Sequence, residues 1–268
     1  MGIPLLLVDA FTDRPFAGNP AAVCFLPEWR EDRWLQNVAA EMKHSETAYL
    51  VRNADGFDLR WFTPAIEVAL CGHATLASAH ALWEQGVAPP NAPIRFATKS
   101  GLLTAARKDR LIELDFPLNS PEPVEPPAEL LAALGVSARY VGKSRFDYLV
   151  EVEAESVLRQ MAPDFKRLAS APVRGVIVTS RSTDPRFDFV SRFFAPAAGV
   201  DEDPVTGSAH CCLADFWRKK LGKNELVAYQ ASPRGGVVYV RVVNDRAILG
   251  GRAVTVAKGE LTGFAAGA

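Results

Sequence analysis

The chain has 268 residues, of which 49% are hydrophobic and 23% are charged, and its formal net charge is −1 at pH 7. This length predicts two domains that each bury a core, and the composition is typical of globular proteins. Nucleic-acid binding requires clustered Lys and Arg, so the near-neutral balance argues against a nucleic-acid partner and favours a small-molecule substrate.

The start of the chain is apolar, but it has no basic residues and Asp9 interrupts it early. We therefore predict no signal peptide, and because no later run is long enough to cross a bilayer, no membrane partner is expected. The cysteines are Cys24, Cys71, Cys211 and Cys212. They lack paired C-x-x-C spacing, which argues against a disulfide framework and against a zinc site. These features predict a cytoplasmic protein without a bound metal.

Hydrophobic periodicity in the first half predicts many short strands and two helices. The predicted strands are 3–9, 21–26, 48–51, 58–63, 94–98, 102–107 and 111–116, and the predicted helices are 31–44 and 72–85. A turn is expected at 17–20. The second helix is rich in Ala, Leu, Thr and Ser and poor in charge on every face, a pattern typical of a buried helix. The first half is therefore predicted to be a sheet curled around that helix.

Five prolines between 117 and 127 predict a stiff, extended connector. We place the domains at 1–118 and 128–268, with 119–127 between them. The second half has predicted strands at 146–152, 174–180, 187–194, 225–231, 236–243, 246–250 and 252–257, and helices at 130–134, 155–160 and 207–221. The sequence leaves open whether the last strand returns to the first domain.

The two halves contain a repeated strand-turn-helix pattern. RWFTP (60–64) precedes CGHAT (71–75), and RFFAP (192–196) precedes TGSAH (206–210). Pro64 and Pro196 are 132 positions apart, whereas Gly72 and Gly207 are 135 positions apart, so the second turn is three residues longer. Such a repeat favours duplication of one structural unit. If the halves face each other about a pseudo-twofold axis, both helix starts should point into one cleft.

Helix starts carry unpaired backbone N–H groups and attract carboxylates, so two converging starts predict a site for a small acid. The acidic turn before Gly207 would be an unusual choice for structure alone. Around the cleft we expect Glu46, His73, Asp203 and Ser208. A carboxylate held there can remove a proton from carbon and return it.

Several motifs together resemble the phenazine-biosynthesis PhzF-like proteins, which have the diaminopimelate epimerase-like fold. They are DAFT (9–12), FAGNP (16–20), SETA (45–48), FTP (62–64), CGHAT (71–75) and EDPVTGS (202–208). The resemblance implies an α+β fold of two pseudo-symmetric domains, each a curled mixed sheet around a central helix. It also implies an active site between the domains, no cofactor, and a homodimer.

In the founding enzyme of this family, trans-2,3-dihydro-3-hydroxyanthranilate is isomerised to a ketone by moving a proton from C3 to C1. By resemblance, Glu46 matches the carboxylate that carries the proton, and His73 and Asp203 match polar groups that act on the substrate. Gly72, Gly207 and Ser208 match the helix-start contacts that bind the substrate.

Simpler interpretations exist for each of these residues. Glu46 can be a solvated charge at a helix end, and His73 and Asp203 can be capping residues. The other histidines, His44, His80 and His210, are interpreted as structural.

Other activities fit the sequence less well. A two-base amino-acid epimerase would need paired cysteines at the helix starts, but Thr206 stands where the counterpart of Cys71 is required. A serine hydrolase lacks its G-x-S-x-G motif, and a calcium loop at 201–203 lacks the alternating ligands. A protein that binds a small acid without catalysis remains the alternative from a different class.

Overall fold

The computed structural model describes residues 2–170 and 173–262, so residues 1, 171–172 and 263–268 of the two predicted domains lie outside the described part. The chain forms two compact units. The first runs to Asp115 and resumes at Gly250, and the second comprises Phe116–Leu249. No helix among the described residues is long and apolar enough to span a membrane.

The first unit is built mainly from short strands. They are β1 Ile3–Ala10, β2 Asn19–Leu26, β3 Glu46–Asn53, β4 Gly56–Phe62, β5 Glu67–Val68, β6 Ile94–Thr98, β7 Gly101–Lys108 and β8 Leu111–Pro117, and the helices are α1 Asp32–Met42 and α2 Gly72–Glu84. Strand β1 is antiparallel to β2, β2 is parallel to β3, and β3 is antiparallel to β4. The parallel pairing places Ala21 opposite Glu46.

The second unit repeats this plan. Its strands are β9 Glu122–Pro123, β10 Tyr140–Lys143, β11 Asp147–Glu151, β12 Gly175–Arg181, β13 Phe189–Phe194, β14 Glu225–Gln230, β15 Gly236–Val243 and β16 Arg246–Gly251, and its helices are α3 Ala128–Leu134, α4 Glu155–Gln160, α5 Phe165–Leu168 and α6 Gly207–Leu221. Strand β11 is parallel to β12, which is antiparallel to β13. This is the same order of pairing as β2, β3 and β4.

The last strand, β17 Ala253–Leu261, returns to the first unit and pairs antiparallel with β1. Helix α2 is the centre of that unit and packs against β1, β2, β3, β7 and β17. Ten of its 13 residues are buried, from His73 to Trp83. The predicted mixed sheet around a buried helix that is poor in charge is therefore confirmed.

An arginine–glutamate pair repeats in the two units and supports the predicted duplication. Arg60 on β4 bonds Glu67 through Nε and Nη2 at 2.7 and 2.8 Å. Arg192 on β13 bonds Glu202 through the same two nitrogens, both at 2.8 Å. In each unit, the pair ties the strand to the turn that leads into the central helix.

Some local predictions need correction. Asn19 and Pro20 were expected in a turn, but they begin β2, and Glu46, expected just past the end of a helix, begins β3. Helix α1 ends at Met42, and Lys43 follows with φ +54°, which closes the helix before Glu46. The short strands β5, β9 and β10 and helix α5 had no clear sequence signal.

Candidate active site

The loop between β1 and β2 places Asn19 at the start of β2. Gly18 has φ +66°, and a Cβ atom there would lie 2.1 Å from the carbonyl oxygen of Ala10. Only glycine fits this backbone without strain. In the same loop, the Phe16 N–H donates a hydrogen bond of 2.7 Å to the buried carboxylate of Asp9 on β1. These contacts hold the loop so that the Asn19 side chain points into the unit, where it is fully buried.

Asn19, His73 and Glu46 lie in a row at the start of α2. Asn19 Nδ2 lies 3.1 Å from His73 Nδ1, and His73 Nε2 lies 3.2 Å from Glu46 Oε2. An amide nitrogen only donates, so Nδ1 accepts and the ring proton resides on Nε2. The Nε2–H therefore lies near the Glu46 carboxylate, 3.2 Å from Oε2, but the two groups are not aligned as a hydrogen bond.

His73 is neutral in this arrangement. Burial, together with the charge of nearby His44, lowers the pKa of His73 to about 3. Glu46 keeps 18% of its side chain exposed, whereas His73 keeps 4%. The pair thus combines a carboxylate that solvent and ligands can reach with a buried, neutral donor behind it.

Cys71 lies beside this pair at the N-cap of α2. Its Sγ is 3.6 Å from His73 Nδ1, and its carbonyl accepts a 2.5 Å bond from the Thr75 hydroxyl. Glu46, Cys71 and His73 each offer an atom within 4.8 Å of the others, so among the described residues this group has the spacing to hold a metal ion. However, Nδ1 of His73 already accepts from Asn19, so a metal would have to use Nε2, the ring nitrogen that faces Glu46.

In the second unit, a polar network braces the turn before α6. The Thr206 hydroxyl donates to Asp203 Oδ2 over 2.5 Å, and the buried amide of Gln230 accepts from the Thr206 N–H at 2.9 Å. Gln230 Nε2 donates to the Asp203 carbonyl at 2.7 Å. Asp203 is therefore held by the hydroxyl of the N-cap residue and does not itself occupy the N-cap position.

Ser208 is the second residue of α6, and its hydroxyl accepts a 3.0 Å bond from Arg174 Nη2. Arg174 also binds the buried carboxylate of Asp147 through Nε at 2.9 Å and Nη2 at 2.5 Å. Burial raises the pKa of Asp147, and the guanidinium opposes that effect. Arg174 therefore links the buried carboxylate of Asp147 to the start of α6.

The predicted residues divide between the units. Glu46, His73 and Gly72 meet at the start of α2, and Asp203, Gly207 and Ser208 meet at the start of α6. Sequence reasoning did not assign roles to Asn19 or Arg174. Asn19 stands within the FAGNP motif, which was the available signal, whereas no pattern around Arg174 distinguished it from other arginines.

The model of the family described as phenazine biosynthesis-like protein matches residues 8–259. A protein described as an uncharacterized isomerase from Halalkalibacterium halodurans is 55% identical over 262 residues, which are 97% of this chain and 99% of that protein. The chain belongs to the PhzF-like family.

Solved structures agree with this assignment. A PhzF-family protein from Enterococcus faecalis has a TM-score of 0.93 and 41% identity, covering 98% of this chain and all of that one. A probable proline racemase from Agrobacterium radiobacter, 14% identical over 97% of this chain and 93% of its own, has a TM-score of 0.64 and shows the shared fold alone. This is the diaminopimelate epimerase-like fold, and the family and its relatives identify the chain as an isomerase.

Proposed function

We propose that this isomerase moves a proton on a small carboxylate-bearing substrate and that Glu46 carries the proton. The supporting observation is the 3.2 Å contact between Glu46 Oε2 and a buried His73 whose Nε2 bears a hydrogen. The carboxylate takes a proton from a C–H bond, becoming a carboxylic acid, and returns it to a second carbon as the double bond shifts. His73 stabilises the carboxylate form and orients it.

The remaining residues bind and polarise the substrate in this proposal. Asp203 makes a polar contact to it, and the helix-start residues Gly72, Gly207 and Ser208 bind its carboxylate. The reaction is similar to the isomerisation of trans-2,3-dihydro-3-hydroxyanthranilate. The proposal includes a cofactor-independent reaction in a cytoplasmic homodimer.

An amino-acid epimerase is the second candidate, because a racemase has the same fold and Cys71 lies at a helix start. A two-base mechanism needs a second proton carrier at the matching position of the other unit. Thr206 is the N-cap there, and Cys211 is five residues further along α6, where burial raises the pKa of its thiol to about 12. These observations favour a single carboxylate over a pair of thiols.

Proton NMR in deuterated water tests this proposal, with trans-2,3-dihydro-3-hydroxyanthranilate as the substrate. We expect wild type to isomerise the compound with deuterium uptake, Glu46→Gln to lose turnover by a factor of about 100 or more, and Cys71→Ser to retain it. Turnover by Glu46→Gln at the wild-type rate would refute the role of Glu46. Complete inactivity of a folded Cys71→Ser would favour the epimerase, and ligand binding without any proton exchange would favour a non-catalytic binding protein.

A further inference from the structure

Arg174 lies beside the start of α6, where its guanidinium donates to the Ser208 hydroxyl. We propose that Arg174 is an anion-binding residue that takes the carboxylate of the substrate, an assignment that rests on the function proposed above. Three features of Arg174 support this assignment: the way in which its guanidinium is held, the donors that remain available, and its position in the internal repeat.

The guanidinium is held rigidly. Asp147, whose side chain is completely buried, accepts from Nε and Nη2 in a two-pronged pair. The rings of Phe146 and Phe193 lie 5.2 and 5.6 Å from the guanidinium carbon. A planar fork that is already oriented loses little conformational freedom when a ligand binds.

Arg174 retains donors for a ligand. Asp147 and Ser208 use Nε and Nη2, and in the described part of the chain Nη1 has no hydrogen-bond partner. The Arg174 side chain is 39% exposed. The ion pair with Asp147 has no net charge, and the attraction for an anion therefore depends on the directed N–H groups and on the partial positive charge of the α6 start.

The internal repeat places a glycine in the second unit where the first unit has Glu46. Thr47 pairs with Phe62 in the first unit, and Val176 pairs with Phe194 in the second, at the matching positions of the two hairpins. Gly175, one residue before Val176, therefore occupies the place that Glu46 has in the first unit.

A side chain at position 175 would collide with its neighbours. A Cβ atom there would lie 2.4 Å from Cζ of Phe193, the ring that also packs on Arg174. The two units thus differ at this position. The first unit has Glu46, the proposed proton carrier. The second unit has no room for a side chain at Gly175 and places the guanidinium of Arg174 next to it. This division suits an isomerase that needs one proton carrier and one anion anchor.

The alternative is that Arg174 only neutralises Asp147. Isothermal titration calorimetry separates the two roles, with anthranilate and its neutral amide, 2-aminobenzamide, as matched probes. The variants are Glu46→Gln, Arg174→Gln, the double variant Arg174→Gln with Asp147→Asn, and Arg186→Gln. The double variant removes the buried charge together with its partner and so avoids an unpaired carboxylate. Arg186→Gln changes an exposed arginine that is paired with Asp184 and is the control.

We expect wild type, Glu46→Gln and Arg186→Gln to bind anthranilate about 10 to 100 times more tightly than the amide. Arg174→Gln and the double variant should bind the two probes within about threefold of each other. A folded double variant that keeps the wild-type preference would overturn the proposal, and so would a wild type that shows no preference. If Glu46→Gln keeps full turnover while the Arg174 variants lose the preference, the proposed proton carrier fails and the anion anchor stands.

Discussion

Asn19 controls the hydrogen that His73 presents to Glu46. Its amide nitrogen lies 3.1 Å from His73 Nδ1, and this contact assigns the ring proton to Nε2. His73 does not fix the position of this proton by itself, because the proton of an isolated neutral imidazole can reside on either ring nitrogen. Asn19 therefore determines which ring nitrogen of His73 carries the hydrogen on the side that faces Glu46.

Asn19→Asp should reverse this arrangement. A carboxylate accepts only, so it would draw a proton to Nδ1 and leave either an Nε2 lone pair facing Glu46 or a charged imidazolium. We expect turnover to fall about 10- to 100-fold, with a change in the nitrogen chemical shifts of His73 measured by NMR. Asn37→Asp, an exposed change on α1, is the control. Unchanged turnover with the proton still on Nε2 would contradict this account of Asn19.

His210 should make stability depend on pH. Its ring is completely buried and donates from Nδ1 to the Thr206 carbonyl over 2.8 Å, and burial lowers the pKa of His210 to about 4. The unfolded chain binds this proton below its ordinary pKa of about 6.5, whereas the folded protein does so only near 4. The free energy of unfolding therefore falls as the pH is lowered between these values.

The test compares wild type with His210→Gln, whose amide keeps a donor for Thr206 and does not titrate. Between pH 7 and pH 5, wild type should lose about 1–2 kcal/mol more than the variant in urea unfolding. Parallel pH profiles for the two proteins would mean that His210 does not contribute. His73, which is also buried and neutral, acts in the same direction in both proteins and cancels in the comparison.

At the scale of elements, close packing between β12 and β13 excludes a side chain at Gly175. Gly175→Ala should destabilise the protein by about 1–3 kcal/mol, because the new methyl group must displace the ring of Phe193. The loss should be smaller when the same change is made in a Phe193→Leu background, where the ring is absent. Urea unfolding of the four proteins in this cycle measures the coupling. Additive effects would show that Phe193 is not the obstacle.

The main helices were predictable, because their patterns are local. The segment 72–85 is poor in charge on every face, and 207–221 begins with small residues. These patterns predict the ends of α2 and α6 to within one residue. The start of the strand at Glu46 was harder to predict, because a polar residue at the first position of a strand gives little periodic signal.

Contacts between distant residues were not predictable from local patterns. The contact between Asn19 and His73 joins residues 54 positions apart, and no local pattern indicates it. The match of Gly175 with Glu46 depends on strand register, which becomes visible only when the hairpins are paired.

At the scale of the whole molecule, the two units differ in chain connectivity. The second is one continuous segment, Phe116–Leu249, whereas the first is completed by the segment that begins at Gly250. The sequence left this return open, since an apolar run of strand type does not identify its partner. The first unit can therefore form its complete sheet only after the last strand has been synthesised.

Deleting the chain after Leu249 should selectively unfold the first unit. Strand β17 pairs with β1 along its whole length, from Ile3 to Ala10, and the deletion would expose that edge together with one side of α2. Hydrogen exchange measured by mass spectrometry should show loss of protection in peptides from β1 to β4. Peptides from α6 and from β14 and β15 should stay protected, because their partners lie within Phe116–Leu249. Full protection of β1 in the shortened chain would mean that the first unit is stable without its last strand.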